Sequence, residues 1–365
     1  MKNNKYIISG GGSGGHIFPA LSIAKEIENC DPKSEILFVG SIGKMEMKKI
    51  PESGFNIIGI PIDGIQRTFS YKNILFPFKL LISLIKSFFI IIKFKPDIVI
   101  GTGGFASGPV VFVSQIMGYF TLIQEQNSYP GITNKILALK ANIISVAYSR
   151  MDKYFSKEKI ILTGNPVRKD IIVNDIKLED SKSFFNLDPK KPVIGIVGGS
   201  QGALNINRII ARNISLFDEL GAQVIWQCGK IYFEKYKFLQ TKNIKVLPFI
   251  NKMNFFYKSV DLLITRSGAS TISEITLTST PSILIPSPNV SENHQYHNAI
   301  ELYNLNASEM IEEKDLEEKF KTVLTDLWLN NSMRIKMKKN LKKLSKPNAT
   351  KDIVELIKKQ LIEEK

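Results

Sequence analysis

Cysteine, histidine and tryptophan are scarce: the 365-residue chain contains two cysteines, three histidines and two tryptophans. Cys30 and Cys228 lie far apart in the sequence and match no metal-ligand spacing. This usage gives no basis for a disulfide framework and favours a reducing compartment. The apolar run before the first glycines is too short for a signal peptide. We therefore expect a cytoplasmic protein.

Acidic residues are outnumbered, with 34 aspartates and glutamates against 49 lysines and arginines and a formal net charge of +15. A basic surface of this size suits an anionic partner: nucleic acid, an acidic lipid surface or a phosphorylated substrate. The chain lacks the interleaved aromatic and basic residues of an RNA-binding motif, so we expect no nucleic acid. A general bias of the composition toward lysine, isoleucine and asparagine explains much of the excess of basic residues, so charge alone does not identify the partner.

Short β-branched runs alternate with amphipathic segments along the chain, which predicts an α/β fold with parallel sheets covered on both faces. We predict strands at 5–9, 36–39, 57–60, 97–101, 121–124, 143–146, 160–163, 222–227, 244–247, 261–265 and 281–285, and one more in "KPVIGIV". The pattern pauses near residue 165 and then restarts. We therefore predict two doubly wound, Rossmann-like domains, 1–164 and 165–347, with a last helix within 348–365 packing back on the first domain.

The segment "IISGGGSGGH" fits the spacing Gly-x-Gly-x-x-Gly of a dinucleotide-binding loop and ends on His16. Such a site also expects an acidic residue after the second strand to hold the ribose. Gly40 and Ser41 stand there instead, which argues against a nicotinamide enzyme. The loop is better suited to another anion at a helix N-terminus, with His16 near the ligand.

Three more loops follow predicted strands: "GTGGFASGP" at 101–109, "GGSQGA" at 198–203 and "TRSGASTISEI" at 265–275. Each alone is also compatible with a plain strand-to-helix turn, but ligands bind at this edge of open α/β sheets. Glu274 could accept both hydroxyls of a ribose, and the guanidinium of Arg266 suits a phosphate. No His-x-x-x-His pair with a third acidic ligand occurs, so we expect no zinc site.

Seven segments stand in the order and spacing of the MurG family: "GGGSGGHIFPALSIA", "GTGGFASGP", "QEQNSYPGITN", "LTGNPVR", "GGSQGALNIN", "TRSGASTISEI" and "HQYHNA". They run from residue 10 to residue 299 and span nearly the whole chain. Each motif is weak alone, but seven in register are specific. The chain therefore resembles the UDP-N-acetylglucosamine:undecaprenyl-pyrophosphoryl-MurNAc-pentapeptide N-acetylglucosaminyltransferases of bacterial peptidoglycan synthesis.

The resemblance implies a GT-B fold, with two domains facing across a cleft, and an inverting transfer of GlcNAc from UDP-GlcNAc to the C4 hydroxyl of MurNAc in lipid I. It implies no metal and no cofactor, and the chain indeed lacks the Asp-x-Asp pair of metal-dependent sugar transferases. The implied partners are lipid I, anionic lipids on the cytoplasmic face of the inner membrane and other cell-wall synthesis proteins. The implied processes are cell-wall growth, cell shape and division.

The resemblance places the sugar donor in the second domain. Glu274 matches the ribose-binding glutamate, Ser200 the diphosphate-binding serine, and Ile250 the position whose backbone contacts uracil. The other donor contacts that it implies are Asn127, Arg168, Gln201, Arg266, Ser267, Gly268, His294 and Gln295.

The lipid-linked acceptor is placed in the first domain, with glycine loops facing its pyrophosphate. The acceptor-binding residues that the resemblance implies are Ser13, Gly14, Gly15, Gly103, Gly104 and Asn127. His16, Glu125 and Asn127 would surround the attacking hydroxyl. We favour His16 as the general base because an imidazole titrates near neutral pH, and Glu125 is the alternative.

Four positions depart from the family pattern. Phe105 replaces the usual tyrosine, and Gln124 stands where histidine is common. Ser287 and Asn293 replace a common phenylalanine and a common aspartate before the His-Gln pair. The first two affect the expected acceptor site, and the last two affect the loop near the donor.

Residues 72–95 are strongly apolar but carry Lys72, Lys79, Lys86 and Lys93 at seven-residue spacing, which forms one slowly drifting stripe on a helix. A transmembrane span with lysines and a proline in its middle would be costly. We predict a sheet-covering helix whose apolar flanks also contact anionic lipid. Replacing Lys79 and Lys86 with glutamate should then weaken vesicle binding.

The alternative function is a UDP-GlcNAc epimerase of the same GT-B architecture. Such an enzyme would turn over UDP-GlcNAc without any lipid acceptor, which separates the two hypotheses.

Overall fold

The computed structural model describes residues 3–64, 74–172 and 175–363. The chain divides into two compact units: unit 1 combines Met1–Val167 with Asn348–Lys365, and unit 2 is Arg168–Pro347. Unit 2 thus begins at Arg168 rather than at the expected residue 165.

Unit 1 contains, within the described residues, a seven-stranded parallel sheet of order β3-β2-β1-β4-β5-β6-β7. Its strands are β1 (Lys5–Ser9), β2 (Glu35–Ser41), β3 (Asn56–Ile60), β4 (Ile98–Gly101), β5 (Phe120–Glu125), β6 (Ile143–Val146) and β7 (Ile160–Leu162). The intervening helices are α1 (Gly14–Cys30), α2 (Glu46–Glu52), α3 (Phe76–Phe94), α4 (Ser107–Ile116) and α5 (Ile132–Ala138). Helices cover both faces, and the central strand β4 is accordingly apolar and buried along its whole length.

Unit 2 repeats this plan with a six-stranded parallel sheet of order β10-β9-β8-β11-β12-β13 among the described residues. Its strands are β8 (Val193–Val197), β9 (Gln223–Gln227), β10 (Ile244–Leu247), β11 (Leu262–Thr265), β12 (Ser282–Leu284) and β13 (Glu309–Met310). Its helices are α6 (Lys169–Ile172), α7 (Leu178–Phe184), α8 (Leu204–Arg212), α9 (Ile214–Glu219), α10 (Phe233–Tyr236), α11 (Met253–Ser259), α12 (Ala269–Thr278), α13 (His294–Asn304), α14 (Leu316–Leu329) and α15 (Asn331–Leu344). The two-residue strand β13 is too short for a sequence pattern and was not predicted.

The last helix, α16 (Ala349–Glu363), packs on α1 and is part of unit 1. Its buried side chains are joined to a cluster that covers one face of the unit 1 sheet, and they include Ile353, Val354, Ile357 and Leu361. Unit 1 is therefore built from segments on either side of unit 2 in the sequence.

Helix α3 has an unusual distribution of side chains. Its fully buried positions include the small residues Ser83 and Ser87, whereas Phe78 and Phe89 are 64% and 63% exposed. Large apolar side chains therefore form its outer face. Lys72 lies outside the described residues, and Lys79 is ion-paired with Asp63 at 2.5 Å. None of the helices in the described ranges is both long enough and apolar enough to cross a membrane.

Candidate functional site

Four loops leave the sheets where the strand order reverses. In unit 1 these loops follow the neighbouring strands β1 and β4, and in unit 2 they follow β8 and β11. This reversal point at the carboxyl ends of parallel strands is where open α/β sheets bind ligands. The same location in both units suits a protein that binds a ligand on each.

His16 lies in the first turn of α1, and its ring orientation is fixed by unit 1. Its Nδ1 lies 3.0 Å from Thr102 O and 3.1 Å from Gln126 Oε1. The amide of Gln126 is oriented with Nε2 toward Thr102 O at 2.6 Å, so Oε1 faces the imidazole. Both neighbours of Nδ1 are acceptors, which places the proton on Nδ1. The lone pair of the neutral ring is then on Nε2.

The loop after β4 packs directly against this imidazole. Gly103 and Gly104 have φ angles of +88° and +77°, which disfavour any residue with a side chain. A Cβ at Gly103 would come within 2.9 Å of His16 Nδ1, and one at Gly104 within 2.2 Å of Gly11 O. These glycines therefore allow two loops to meet at His16.

Glu46 of α2 is a buried carboxylate at the base of the first loop, and no motif in the sequence marks it. Its Oε1 accepts hydrogen bonds from Ser41 N at 3.0 Å and Gly12 N at 3.2 Å. A carboxylate thus lies beside the end of β2, where the sequence showed no acid. Because Glu46 is fully buried and bonded to the loop amides, it holds the loop and is not offered to a ribose. The amide of Gly12 is likewise already used, so anion binding would fall to Ser13, Gly14 and Gly15 at the start of α1.

Glu125, at the end of β5, is buried within its own loop. Its Oε1 accepts from Asn127 N and Asn127 Nδ2 at 3.0 and 3.3 Å, and its Oε2 accepts from Gly131 N and Asn134 Nδ2 at 3.3 and 2.8 Å. Burial raises the pKa of Glu125, and these hydrogen bonds offset part of the increase. This geometry suits a residue that fixes the loop carrying Asn127 better than one that abstracts a proton.

A buried network of side-chain amides supports the His16 contact. Gln124, fully buried, donates to Asn165 Oδ1 at 2.8 Å and contacts Gln126. Asn165 in turn donates to Gln126 O at 3.0 Å. Gln124 is therefore a core residue in this chain. Its difference from the family pattern affects the buried side chains that hold His16, because Gln124 itself is not exposed. The ring of Phe105 packs beside Gly12.

In unit 2 the loop "GGSQGA" connects β8 with α8 and exposes Ser200 and Gln201 at the helix N-terminus. Gly202 has a φ of +80°, and a Cβ there would lie 2.0 Å from Cys228 O. The buried Gln227, the last residue of β9, connects this loop with the segment that follows β10. It donates to Gly199 O at 2.9 Å and accepts from Ile250 N at 2.7 Å. The N–H of Ile250 is thus occupied, so contact with a uracil would fall to its carbonyl.

Arg266 is not directed to an open surface, contrary to what a phosphate ligand requires. Its Nη2 pairs with Glu313 Oε1 at 2.5 Å, and its Nη1 donates to Ile285 O at 3.1 Å; both side chains of the pair are mostly buried. A buried guanidinium whose N–H groups already have hydrogen-bond partners serves to connect parts of the fold. Binding of the donor phosphate by Arg266 stays a prediction. The contacts seen in the structure are instead those of a residue that connects segments of unit 2.

Ser267 and Gln295 join the starts of α12 and α13. Ser267 Oγ donates to Gln295 O at 2.7 Å, and Gln295 Oε1 accepts from Ser287 N at 2.9 Å. The contact at Ser287 uses only its backbone, so a phenylalanine there could make the same hydrogen bond. Gly268 is the N-cap of α12, and a Cβ there would meet only Thr271, at 4.0 Å.

The turn before α13 is strained. Glu292 and Asn293 are consecutive left-handed residues with φ of 53° and 51°. Strain of this kind is concentrated at ligand sites, and asparagine tolerates it better than most residues. The turn presents His294, whose Nδ1 contacts Ser291 O at 2.8 Å, next to Gln295.

Glu274 of α12 is held by two neighbours. Its Oε1 accepts from Arg168 Nη2 at 3.2 Å, and its Oε2 accepts from Tyr257 OH at 2.9 Å. Burial raises the pKa of Glu274, while Arg168 lowers it. Arg168 and Glu274 were expected near the donor and are in contact, whereas Tyr257 was not identified from the sequence. Among the described residues, no three His, Cys, Asp or Glu side chains form a group able to hold a metal ion.

Comparisons with known families identify two domains in the chain. Residues 6–146 match the glycosyltransferase family 28 N-terminal domain, and residues 193–355 match the glycosyltransferase family 28 C-terminal domain. The protein is thus a glycosyltransferase, and the predicted GT-B fold class is confirmed.

Close relatives narrow the family. One from Flavobacterium psychrophilum is 50% identical and one from Christiangramia forsetii is 46% identical, with at least 97% of each chain covered. Both are named UDP-N-acetylglucosamine--N-acetylmuramyl-(pentapeptide) pyrophosphoryl-undecaprenol N-acetylglucosamine transferase. The crystal structure of Acinetobacter baumannii MurG matches with a TM-score of 0.80 at 26% identity, covering 98% of this chain and 100% of that chain. The chain belongs to the MurG family, as its motifs indicated.

A UDP-N-acetylglucosamine 2-epimerase structure also matches, with a TM-score of 0.62 over 98% of this chain and 96% of that chain. Its sequence identity is 12%, so the likeness extends to the fold alone. The epimerase alternative therefore has no support from close relatives.

Proposed function

We propose that this protein transfers GlcNAc from UDP-GlcNAc to the C4 hydroxyl of MurNAc in undecaprenyl-pyrophosphoryl-MurNAc-pentapeptide. The observation that carries the proposal is the sequence identity of 50% and 46%, over nearly the full length of the chain, to two relatives named for this reaction. In the reaction the acceptor O4 forms a bond to C1 of GlcNAc with inversion, the bond from C1 to the β-phosphate oxygen breaks, and UDP leaves.

Unit 2 supplies the donor site in this proposal. Glu274 accepts the ribose hydroxyls, Ile250 O contacts the uracil, and Ser200 and Gln201 bind the diphosphate at the N-terminus of α8. The start of α12 at Gly268 and the pair His294 and Gln295 complete the site. Amide dipoles and Arg168 would stabilise the charge that develops on UDP, in place of a metal ion.

Unit 1 supplies the acceptor site. His16 Nε2 takes the proton from the attacking hydroxyl, since Nδ1 is committed to Thr102 O and Gln126 Oε1. Ser13, Gly14 and Gly15 at the start of α1, with Gly103 and Gly104 beside them, form the surface for the pyrophosphate. Glu125 acts by holding Asn127, which contacts the sugars.

Membrane association completes the proposal, since the acceptor carries an undecaprenyl chain. The outer face of α3 exposes Phe78, Leu81, Ile85 and Phe89, and α4 adds Ile116, 60% exposed. An exposed apolar surface with nearby lysines suits an anionic bilayer on the cytoplasmic side. Contacts with other cell-wall synthesis proteins belong to the same proposal.

The test is transfer of labelled GlcNAc from UDP-GlcNAc to a lipid I analogue. We expect His16→Ala to lower kcat by about 10²- to 10⁴-fold, the usual contribution of a general base. UDP binding by unit 2 should be unchanged. Glu125→Ala should instead destabilise the loop and raise KM for the acceptor.

Two outcomes would contradict the proposal. Full activity in both variants would remove the acceptor-site assignment. Turnover of UDP-GlcNAc to an epimer without acceptor would favour the alternative enzyme.

A further inference from the structure

Two other segments of unit 2 hold the carboxylate of Glu274. Glu274 lies on α12, Tyr257 on α11, and Arg168 immediately precedes α6. Arg168 contacts Oε1 and Tyr257 contacts Oε2, at 3.2 and 2.9 Å. The plane of the carboxylate is therefore fixed by one neighbour on each oxygen.

The two neighbours differ in character. Arg168 has a side chain that is 41% exposed, whereas Tyr257 is 5% exposed. Burial, and next the adjacent Glu274 carboxylate, raise the pKa of Tyr257 well above its ordinary value. Tyr257 therefore stays protonated at working pH and is a permanent donor from a fixed position in the core.

We propose that Tyr257 is a positioning residue that sets the ribose specificity of this site. It orients Glu274 so that the remaining lone pairs of the carboxylate point at the 2′- and 3′-hydroxyls of a nucleoside diphosphate. The inference rests on the proposed function, because the ribose of UDP-GlcNAc is the ligand. Each carboxylate oxygen has two lone-pair sites, so Oε2 can accept from Tyr257 and from one ribose hydroxyl together.

Without the Tyr257 hydroxyl, only Arg168 would hold the carboxylate, through one oxygen. Rotation about the Cγ–Cδ bond of Glu274 would then be less restrained. The lone pairs would no longer be preorganised for two adjacent hydroxyls, so the advantage of a ribonucleotide over a deoxyribonucleotide would shrink.

The experiment measures the affinities of the full-length protein for UDP and for 2′-deoxy-UDP by calorimetry. We expect Tyr257→Phe to weaken UDP binding by about tenfold, the scale of a hydrogen bond to a charged group. Binding of 2′-deoxy-UDP should weaken less, because it gives Glu274 one hydroxyl fewer. The ratio of the two affinities should therefore fall by about threefold or more.

Tyr236→Phe is the matched control. Tyr236 is 3% exposed in the core of unit 2, packs against Trp226, and its hydroxyl has no hydrogen-bond partner in the described structure. This variant also removes a buried tyrosine hydroxyl, and it should keep the wild-type affinity ratio. Thermal melting of both variants checks that each is folded.

The pH dependence of UDP binding gives a second readout. Burial raises the pKa of Glu274, and the hydrogen bond from Tyr257 opposes this increase. UDP affinity should hold above the pKa and fall as the pH drops through it, because a protonated carboxyl accepts fewer hydrogen bonds. In Tyr257→Phe the pKa rises further, so the affinity should begin to fall at a higher pH than in wild type.

The outcomes separate this inference from the proposed function. Equal losses for UDP and 2′-deoxy-UDP in Tyr257→Phe, with an unshifted pH profile, would overturn the positioning role alone. Failure of the wild-type protein to bind UDP would overturn the proposed donor site and this inference with it.

Discussion

Gly104 approaches Gly11 so closely that a Cβ would lie 2.2 Å from the Gly11 carbonyl oxygen. It would also lie 3.1 Å from Cδ2 of His16. The absence of a side chain at this single residue lets the loops after β1 and β4 meet. The position of the proposed base therefore depends on a glycine in a different loop.

Gly104→Ala should destabilise unit 1 by about 1–3 kcal/mol, since the φ of +77° and the contact with backbone both oppose a side chain. It should also slow GlcNAc transfer, because the added Cβ would press on both Gly11 and the His16 ring. Calorimetric melting and the transfer assay measure the two effects.

Gly108→Ala is the control for that substitution. A Cβ at Gly108 would meet only Thr133, at an ordinary 3.5 Å, and the residue lies in α4, where alanine is favoured over glycine. Equal melting and equal activity of the two alanine variants would contradict the argument.

The positions of several proposed site residues could be predicted from the sequence because they lie in local patterns. The glycine loops follow directly after predicted strands, and His16 and Glu274 lie in the helices that begin after such loops. Glu46, Tyr257 and Gln227 could not be found in this way. Each acts through a partner in a different segment, and only tertiary packing brings Glu46 to Gly12 or Tyr257 to Glu274.

At the level of elements, the side chains that α3 buries differ from those that its sequence pattern predicts. The sequence predicted a helix over this segment, and its lysine spacing suggested an edge stripe. The structure buries Ser83 and Ser87 and turns three of the phenylalanines outward, Phe78, Phe88 and Phe89. A hydrophobicity pattern alone could not assign the inner face of this helix. The serines are buried because their small side chains allow close packing, and not because they are apolar.

The outer face of α3 is expected to bind vesicles mainly through its aromatic residues. Phe78→Ser with Phe89→Ser should weaken sedimentation with both neutral and anionic vesicles, because each change removes apolar area that would enter the bilayer. Phe238→Ser in unit 2, where the side chain is 76% exposed, should have no such effect.

Charge on α3 is expected to act separately. Lys86→Glu with Lys93→Glu should weaken binding to anionic vesicles only, and more at low salt than at high salt. This pair is a cleaner test than one including Lys79, which already pairs with Asp63. Unchanged binding in both sets of variants would remove α3 from the membrane proposal.

At the level of the whole molecule, α16 completes unit 1 from the far side of unit 2 in the sequence. Ile357 on this helix is fully buried, whereas Ile362 is 75% exposed. Ile357→Ala should destabilise unit 1 by about 2–5 kcal/mol. Ile362→Ala should change its stability by less than about 0.5 kcal/mol.

The two tryptophans make this test selective, because Trp226 and Trp328 both lie in unit 2. Ile357→Ala should lower the midpoint of denaturant unfolding followed by circular dichroism and leave the tryptophan fluorescence transition in place. A shift of the fluorescence transition by the same amount would show that the units unfold together.

The placement of α16 also has a consequence for biosynthesis. The first part of unit 1 leaves the ribosome with the apolar surface of α1 uncovered, and all of unit 2 must be translated before α16 appears. At about 5–20 residues per second, that delay is roughly 10–40 s. The nascent first unit thus passes through a period in which its uncovered apolar surface is open to aggregation.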